Sequence, residues 1–247
     1  CIVSKSKKIF DFKGDIAMNS YKIVLLKKFP KMNIGDKKST LAEGALPGFT
    51  PNPKTEIKYI NNDYHGFELY EFEHEMIFKE NGIAFGFIND EPKSMTFHDY
   101  LKKYTIKCYL KRNEDHLYLA AASNVTQDLL RNVKKNEDLE IEVDEIILDM
   151  QNLRLHVDDY LGAWFRKVSN RVSASALFGS DLFNDPLYEQ LITEGILTSV
   201  FIPYSGFTIQ INDKAGISSR QIFDSIFEEL DLIQSLKSEI IDKITKK

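Results

Sequence analysis

The segment Tyr21 to Phe29 (YKIVLLKKF) concentrates β-branched and apolar residues and stops at Pro30, which predicts a first strand. From Lys31 to Thr55 periodicity vanishes and Gly, Pro, Ser and Thr rise, with turn or extended signals at Pro47-Gly48 and Pro51-Asn52-Pro53. So long an irregular stretch predicts a disordered loop or a functional flap. Glu68 to Phe78 then alternates, with Tyr70, Phe72, His74, Met76 and Phe78 on one face and Glu71, Glu73 and Glu75 on the other. Asn81-Gly82 can supply the positive φ angles of a tight turn, and Ile83, Phe85 and Phe87 continue the apolar face. Together they predict a hairpin.

Thr96 is placed to cap a short helix carrying Phe97, Tyr100 and Leu101. Two β-like runs follow, Thr105 to Leu110 and Leu117 to Ala121, joined by the polar turn Arg112 to Asp115. A helix from about Val125 to Lys135 comes next, capped by Ser123 or Asn124. A similar order recurs where Leu197 to Pro203 and Phe207 to Asn212 flank Tyr204-Ser205-Gly206 and Ser218 or Ser219 opens a helix, which suggests a diverged ββα duplication. Between the two, Leu139 to Met150 and Leu153 to Val157 read as strands. Asp185, Pro186 and Gly195 bracket a short helix. The final helix, Ser219 to about Lys246, carries Phe223, Ile226, Leu230, Ile233, Ile240 and Ile244 at alternating three- and four-residue steps, with Lys237 interrupting the stripe. At 1.5 Å per residue it would be roughly 42 Å long and outrun its lobe.

Hairpins without regular βαβ alternation predict an α+β fold with largely antiparallel sheets and a long C-terminal amphipathic helix. The expected division is a basic leader (1–20), an N-terminal α+β lobe (21–138) and a C-terminal α+β lobe (139–247).

Composition adds limits. The 247 residues are 43% hydrophobic and 28% charged, enough to build a core. Cys1 and Cys108 form no disulfide framework and no metal-ligand spacing, which points to a reducing, cytoplasmic setting. No run of about 18 apolar residues can span a membrane. Cys1 would suit a lipidated terminus, but no signal core is visible, and Met18 is a plausible natural start. The net charge of -5 is polarised: residues 1 to 38 hold ten lysines against Asp11, Asp15 and Asp36, or +7, which leaves -12 for the rest. Such an arm can meet phosphates, although lysines are also ordinary at exposed edges.

The candidate chemistry is sparse. Glu71, Glu73 and Glu75 share a strand face from which His74 points away, which separates an apparent metal cluster. Asp149, His156, Asp158 and Asp159 form a second, turn-like grouping. Asp36 with Glu56-Ile57-Lys58 imitates the acid, acid-x-lysine arrangement of metal-dependent nucleases, where carboxylates hold the ion and lysine orients water. Nucleophile elbows and phosphate-loop spacings are absent. Gly162-Ala163-Trp164-Phe165-Arg166-Lys167, followed by Asn170 and Arg171, holds the one tryptophan within a stretch lacking acidic residues between 160 and 180. Planar rings and guanidinium groups there can stack on bases or anchor a protein.

The leading expectation is therefore a noncatalytic, nucleic-acid-contacting protein, binding DNA or RNA through Trp164, Phe165, Arg166, Lys167, Arg171, Lys27 and Lys28, without cofactor or metal. The alternatives are a protein-binding adaptor or assembly subunit and, third, a metal-dependent nuclease using Asp36, Glu56 and Lys58. The C-terminal helix is expected to pair two copies into a homodimer, with Lys237 at the seam.

Overall fold

The structure is a computed structural model that describes residues 16–17, 20–40, 53–88, 91–111, 113–169 and 172–246. It is a sheet-dominated α+β fold with antiparallel strands. The strands are β1 (Ile16–Ala17), β2 (Tyr21–Lys28), β3 (Lys37–Ser39), β4 (Thr55–Tyr64), β5 (Phe67–Phe78), β6 (Gly82–Ile88), β7 (Glu91–Phe97) and β8 (Tyr100–Leu110). They continue with β9 (His116–Ala120), β10 (Glu142–Glu145), β11 (Gly162–Arg166), β12 (Ala174–Phe178), β13 (Ile196–Tyr204), β14 (Phe207–Asn212), β15 (Gly216–Ser219) and β16 (Ile222–Phe223). The α-helices are α1 (Ser123–Lys135), α2 (Pro186–Glu194) and α3 (Ile226–Leu236). Twelve strands form one sheet in the order β12-β11-β13-β14-β15-β2-β9-β8-β5-β4-β3, with β10 also paired to β2.

The pivotal strand is β2. One edge pairs along Tyr21 to Leu25 with β9. The other is divided: Tyr21 and Lys22 pair with Ile217 and Gly216 of β15, while Val24 to Lys28 pair with Glu145 to Glu142 of β10. Alternation sends its side chains to two cores. Tyr21 and Ile23 join a cluster with Phe67, Tyr118, Val200, Ile211 and Ile233. Val24 joins a second with Ile57, Phe72, Cys108, Leu119 and Leu129. Helix α1 closes the second cluster with Val125, Leu129, Leu130 and Val133. Helix α3 closes the first on the opposite face.

Several local expectations need correction. The chain does not turn back at Asn81-Gly82: β5 pairs with β8 over Phe78↔Tyr100 to Glu68↔Leu110, and β6 pairs with β7. Residues 79–81 and 98–99 interrupt a long two-stranded arm, where Asn81 Oδ1 lies 2.6 Å from His98 Nδ1. No helix follows Thr96, because pairing partners hold that segment in β7 and β8. Leu139 to Met150 contains only the short β10, and Asn152–Leu155 is a 3₁₀ turn. Ser218 and Ser219 lie in β15 rather than at a helix start. This extra strand departs from the order on which the ββα repeat was drawn. In α1, Ala122 is the N-cap residue and no side chain caps the helix. The Asp185 cap does form, its carboxylate accepting from Leu187 and Tyr188 N–H.

The largest correction concerns the C-terminus. Ser225 caps α3, which passes through a π-helical turn (Lys237–Ile241) into a last turn, Asp242–Ile244. From Ile226 to Ile244 the helical run is about 28 Å long rather than 42 Å. Ile240 and Ile244 are 2% and 1% exposed in the chain's own core. Asp149 N–H donates to Ile244 O and Lys246 N–H to Ile147 O, tying the end down. Lys237 is also buried, its Nζ 2.9 Å from Asp242 and 3.6 Å from Glu114. The stripe and its lysine are thus spent within one chain, which removes the reason for a helix-mediated dimer.

Ile240→Asp with Ile244→Asp is accordingly expected to unfold or strongly destabilise the protein, because each buries an unpaired carboxylate where a side chain packed. Loss of the cooperative thermal transition by circular dichroism would show this. A stable, folded double variant would contradict the packing.

Candidate interaction site

One face of both halves of the sheet is packed in the main core, whereas α1 covers the other face only over the N-terminal strands. Opposite residues across β11, β13, β14, β15 and β2 place Trp164, Ser199, Asn212, Gly216 and Lys22 in one row, all on the face carrying Val24. Near Val24 that face lies under α1. Beyond β15, among the described residues, no helix lies over it. The opposite face carries Ala163, Phe165, Val200, Ile209 and Ile211 into the main core.

This outer face bears an aromatic group. Gly162 stands opposite both Phe178 and Phe201. Trp164 meets each ring edge-on, at centroid distances of 5.0 Å and 4.8 Å and interplanar angles of 88° and 82°. A Cβ at Gly162 would lie 3.0 Å from Phe178 and 3.2 Å from Phe201, so the absent side chain is what lets the rings close over the strand. Phe178 nevertheless remains 63% exposed at the sheet edge. Inward from these rings runs a polar ladder: Gln210 Nε2 donates to Ser199 Oγ at 3.0 Å, and Ser218 Oγ donates to Gln210 Oε1 at 3.4 Å. It ends at a hollow of about 260 Å³ lined by Ser20, Ser123, Asn212 and Ser218.

The expected site residues separate on this framework. Trp164 and Arg166 share the outer face, whereas Phe165 is 1% exposed and belongs to the core. Arg166 pairs with Asp213 at 3.0 Å. Lys167 is exposed in the turn after β11, at φ 53°. Arg171 lies outside the described residues. Lys27 and Lys28 are four strand spacings away, about 19 Å across the sheet. There Lys27 meets Asp144 at 3.7 Å, and Lys28 stands over a concavity lined by Glu137, Glu140, Glu142 and Asp144. The lysines of β2 therefore face carboxylates and do not extend the Trp164 surface. Phe178 and Phe201 were not singled out from sequence; only pairing with Gly162 brings them to Trp164.

The other candidates are also resolved spatially. Asp36 accepts from Asn33 N–H at 2.7 Å, and Glu56 is held by Lys37 at 2.8 Å and Lys54 at 3.2 Å. Those lysines lower the Glu56 pKa, with the Lys37 hydrogen bond the larger cause. Among the described residues no group of three His, Cys, Asp or Glu side chains is placed to hold a metal. Asp149 accepts from Gln151 N–H, and Asp159 accepts from Tyr160 and Asp181 N–H, so both act in turns. His74 does point away from its neighbouring glutamates. It is buried between β4, β5 and α1, with Nδ1 2.8 Å from Thr55 Oγ1 and Nε2 3.1 Å from Asp128. Burial lowers its pKa against the opposing pull of Asp128. The pKa of His116 is also lowered, chiefly by burial and next by the Lys237 ammonium. No known family model matches this sequence, and no curated protein matches it.

Two outcomes follow. Below about pH 6.5 the unfolded chain binds protons at histidines that the native chain keeps neutral, so stability falls as pH drops from that value. Urea midpoints between pH 7.5 and 5.5 should show this decline, and His74→Gln should flatten it; an unchanged slope would contradict the assignment. Gly162→Ala should push Phe178 outward and shift the emission of the lone tryptophan to longer wavelength while far-ultraviolet circular dichroism stays native. Unchanged emission would count against the ring packing.

Proposed function

We propose that this is a noncatalytic interaction protein that binds another protein through the outer face of β11 to β13 and the adjoining edge of β12. The supporting observation is the Trp164, Phe178 and Phe201 group on a face that no helix covers among the described residues, in a sheet whose other apolar side chains are largely packed. Exposed aromatic side chains surrounded by polar groups are the usual anchors of protein interfaces. Pairing of Arg166 with Asp213 and of Lys27 with Asp144 weakens the case for phosphate binding, since each cation already has a carboxylate partner. Nucleic acid is the second reading because exposed Lys167 flanks the tryptophan face and Ser and Gln donors continue it.

A photo-crosslinking amino acid replacing Phe178 in living cells should give discrete protein adducts, with none from the same group at exposed Leu155. The adducts should form equally well in high salt, because an apolar interface does not depend on released counterions. Adducts to nucleic acid that fade steeply with salt would favour the second reading. Adducts at neither site would reject both.

A further inference from the structure

We infer that β12 is a self-complementary edge through which two copies of this chain pair antiparallel about a two-fold axis at Ala176; this rests on the reading that the Trp164 face binds protein. The two ends of the sheet differ. At one end β3 is three residues long and carries Lys37 and Lys38, which pair with Glu56 at 2.8 Å and Glu140 at 2.7 Å. Short, charged edges of that kind resist pairing with another chain. At the other end β12 is five residues, ASALF, without a charge or proline and without a bulge in its register with β11. Among the described residues none of the usual protections is present, and no strand pairs with its outer row of backbone groups.

The side chains fit a second copy. Ala174, Ala176 and Phe178 share the outer face with Arg166, Trp164 and Gly162. An antiparallel partner centred on Ala176 sets each Phe178 ring opposite Ala174 of the second copy and the two Ala176 methyl groups opposite one another. A large residue faces a small one on each side, and Phe178 is covered without displacing Trp164. Charge is complementary as well. The N-terminal end of β12 lies beside exposed Lys167, while its C-terminal end leads to Asp181, which adjoins Asp159. Antiparallel pairing brings the basic end of each copy to the acidic end of the other, about two strand spacings or roughly 9.5 Å apart, slightly beyond the roughly 8 Å screening length of physiological salt, so this attraction contributes mainly at low ionic strength. Five paired residues a side make a small interface, so the dimer is expected to be weak and concentration-dependent.

The test uses the two-fold axis itself. Ala176 is exposed, so Ala176→Lys and Ala176→Glu should fold normally, yet each sets like charges directly opposite in a homodimer. Sedimentation of the wild-type chain should show a dimer that dissociates on dilution. Each variant alone should dimerise at least about tenfold more weakly, and their equimolar mixture should recover a heterodimer near wild-type affinity. Phe178→Ala should weaken pairing without altering circular dichroism. A wild-type chain that stays monomeric to about 200 µM, or variants that dimerise as well as wild type, would overturn the pairing. Phe178 adducts to a different protein from a monomeric chain would overturn it too, while leaving the wider protein-binding reading standing.

Discussion

The structure depends on how β2 shares its backbone. Paired with β9 on one side and divided between β15 and β10 on the other, it joins the strands before α1 to those after it in one sheet. Its alternating side chains enter both cores, so replacing one of them is felt on one face while losing the pairing is felt on both. Lys22 marks the cost of this junction. It is buried at the meeting of β2, β15 and β10, its Nζ donating to Lys214 O and standing 3.7 Å from Glu145, and burial lowers its pKa. A buried ammonium is tolerable only with such partners.

Coverage follows from that arrangement. Helix α1 protects one face of the N-terminal half, and α3 with its π-helical continuation lies on the other face and reaches strands of both halves, with Phe227 against Tyr64 and Tyr204 O–H donating to Glu239. Among the described residues no helix lies over the outer face of β11 to β15, and the surface there changes from aromatic rings at the β12 edge to serine, glutamine and asparagine near β15. The candidate interface is thus a product of layer geometry: the same residues under a third helix would be ordinary core.

Several buried polar side chains are paired in small sets, although Tyr109 Oη and His116 Nδ1 have no hydrogen-bond partner among the described residues. Thr55, His74, Asp128 and Asn132 bind α1 to β4 and β5, with Thr55 Oγ1 donating to Asn132 Oδ1 at 2.8 Å. Glu114, Lys237 and Asp242 hold the helical C-terminus to the turn before β9. Pairing of this kind favours one packing, because removing a partner leaves buried His74 or Lys237 without it.

Local pattern alone determined the α+β class, β2, the β8-β9 and β13-β14 hairpins, and the start of α2, since alternation, turn residues and an Asp-Pro cap act within a few residues. It also marked the Trp164 stretch as unusual. Pairing across long separations decided the rest. Asn81-Gly82 could turn, but the 11-residue ladder between β5 and β8 outweighs that preference and carries the chain into a longer arm. The isoleucine stripe could equally have served a second copy or this one, and only the position of the core shows Ile240 and Ile244 consumed within the chain. Trp164 acquired its neighbours in the same way: Phe178 and Phe201 lie 14 and 37 residues further along the sequence, and strand register, which no local preference encodes, brings them over Gly162.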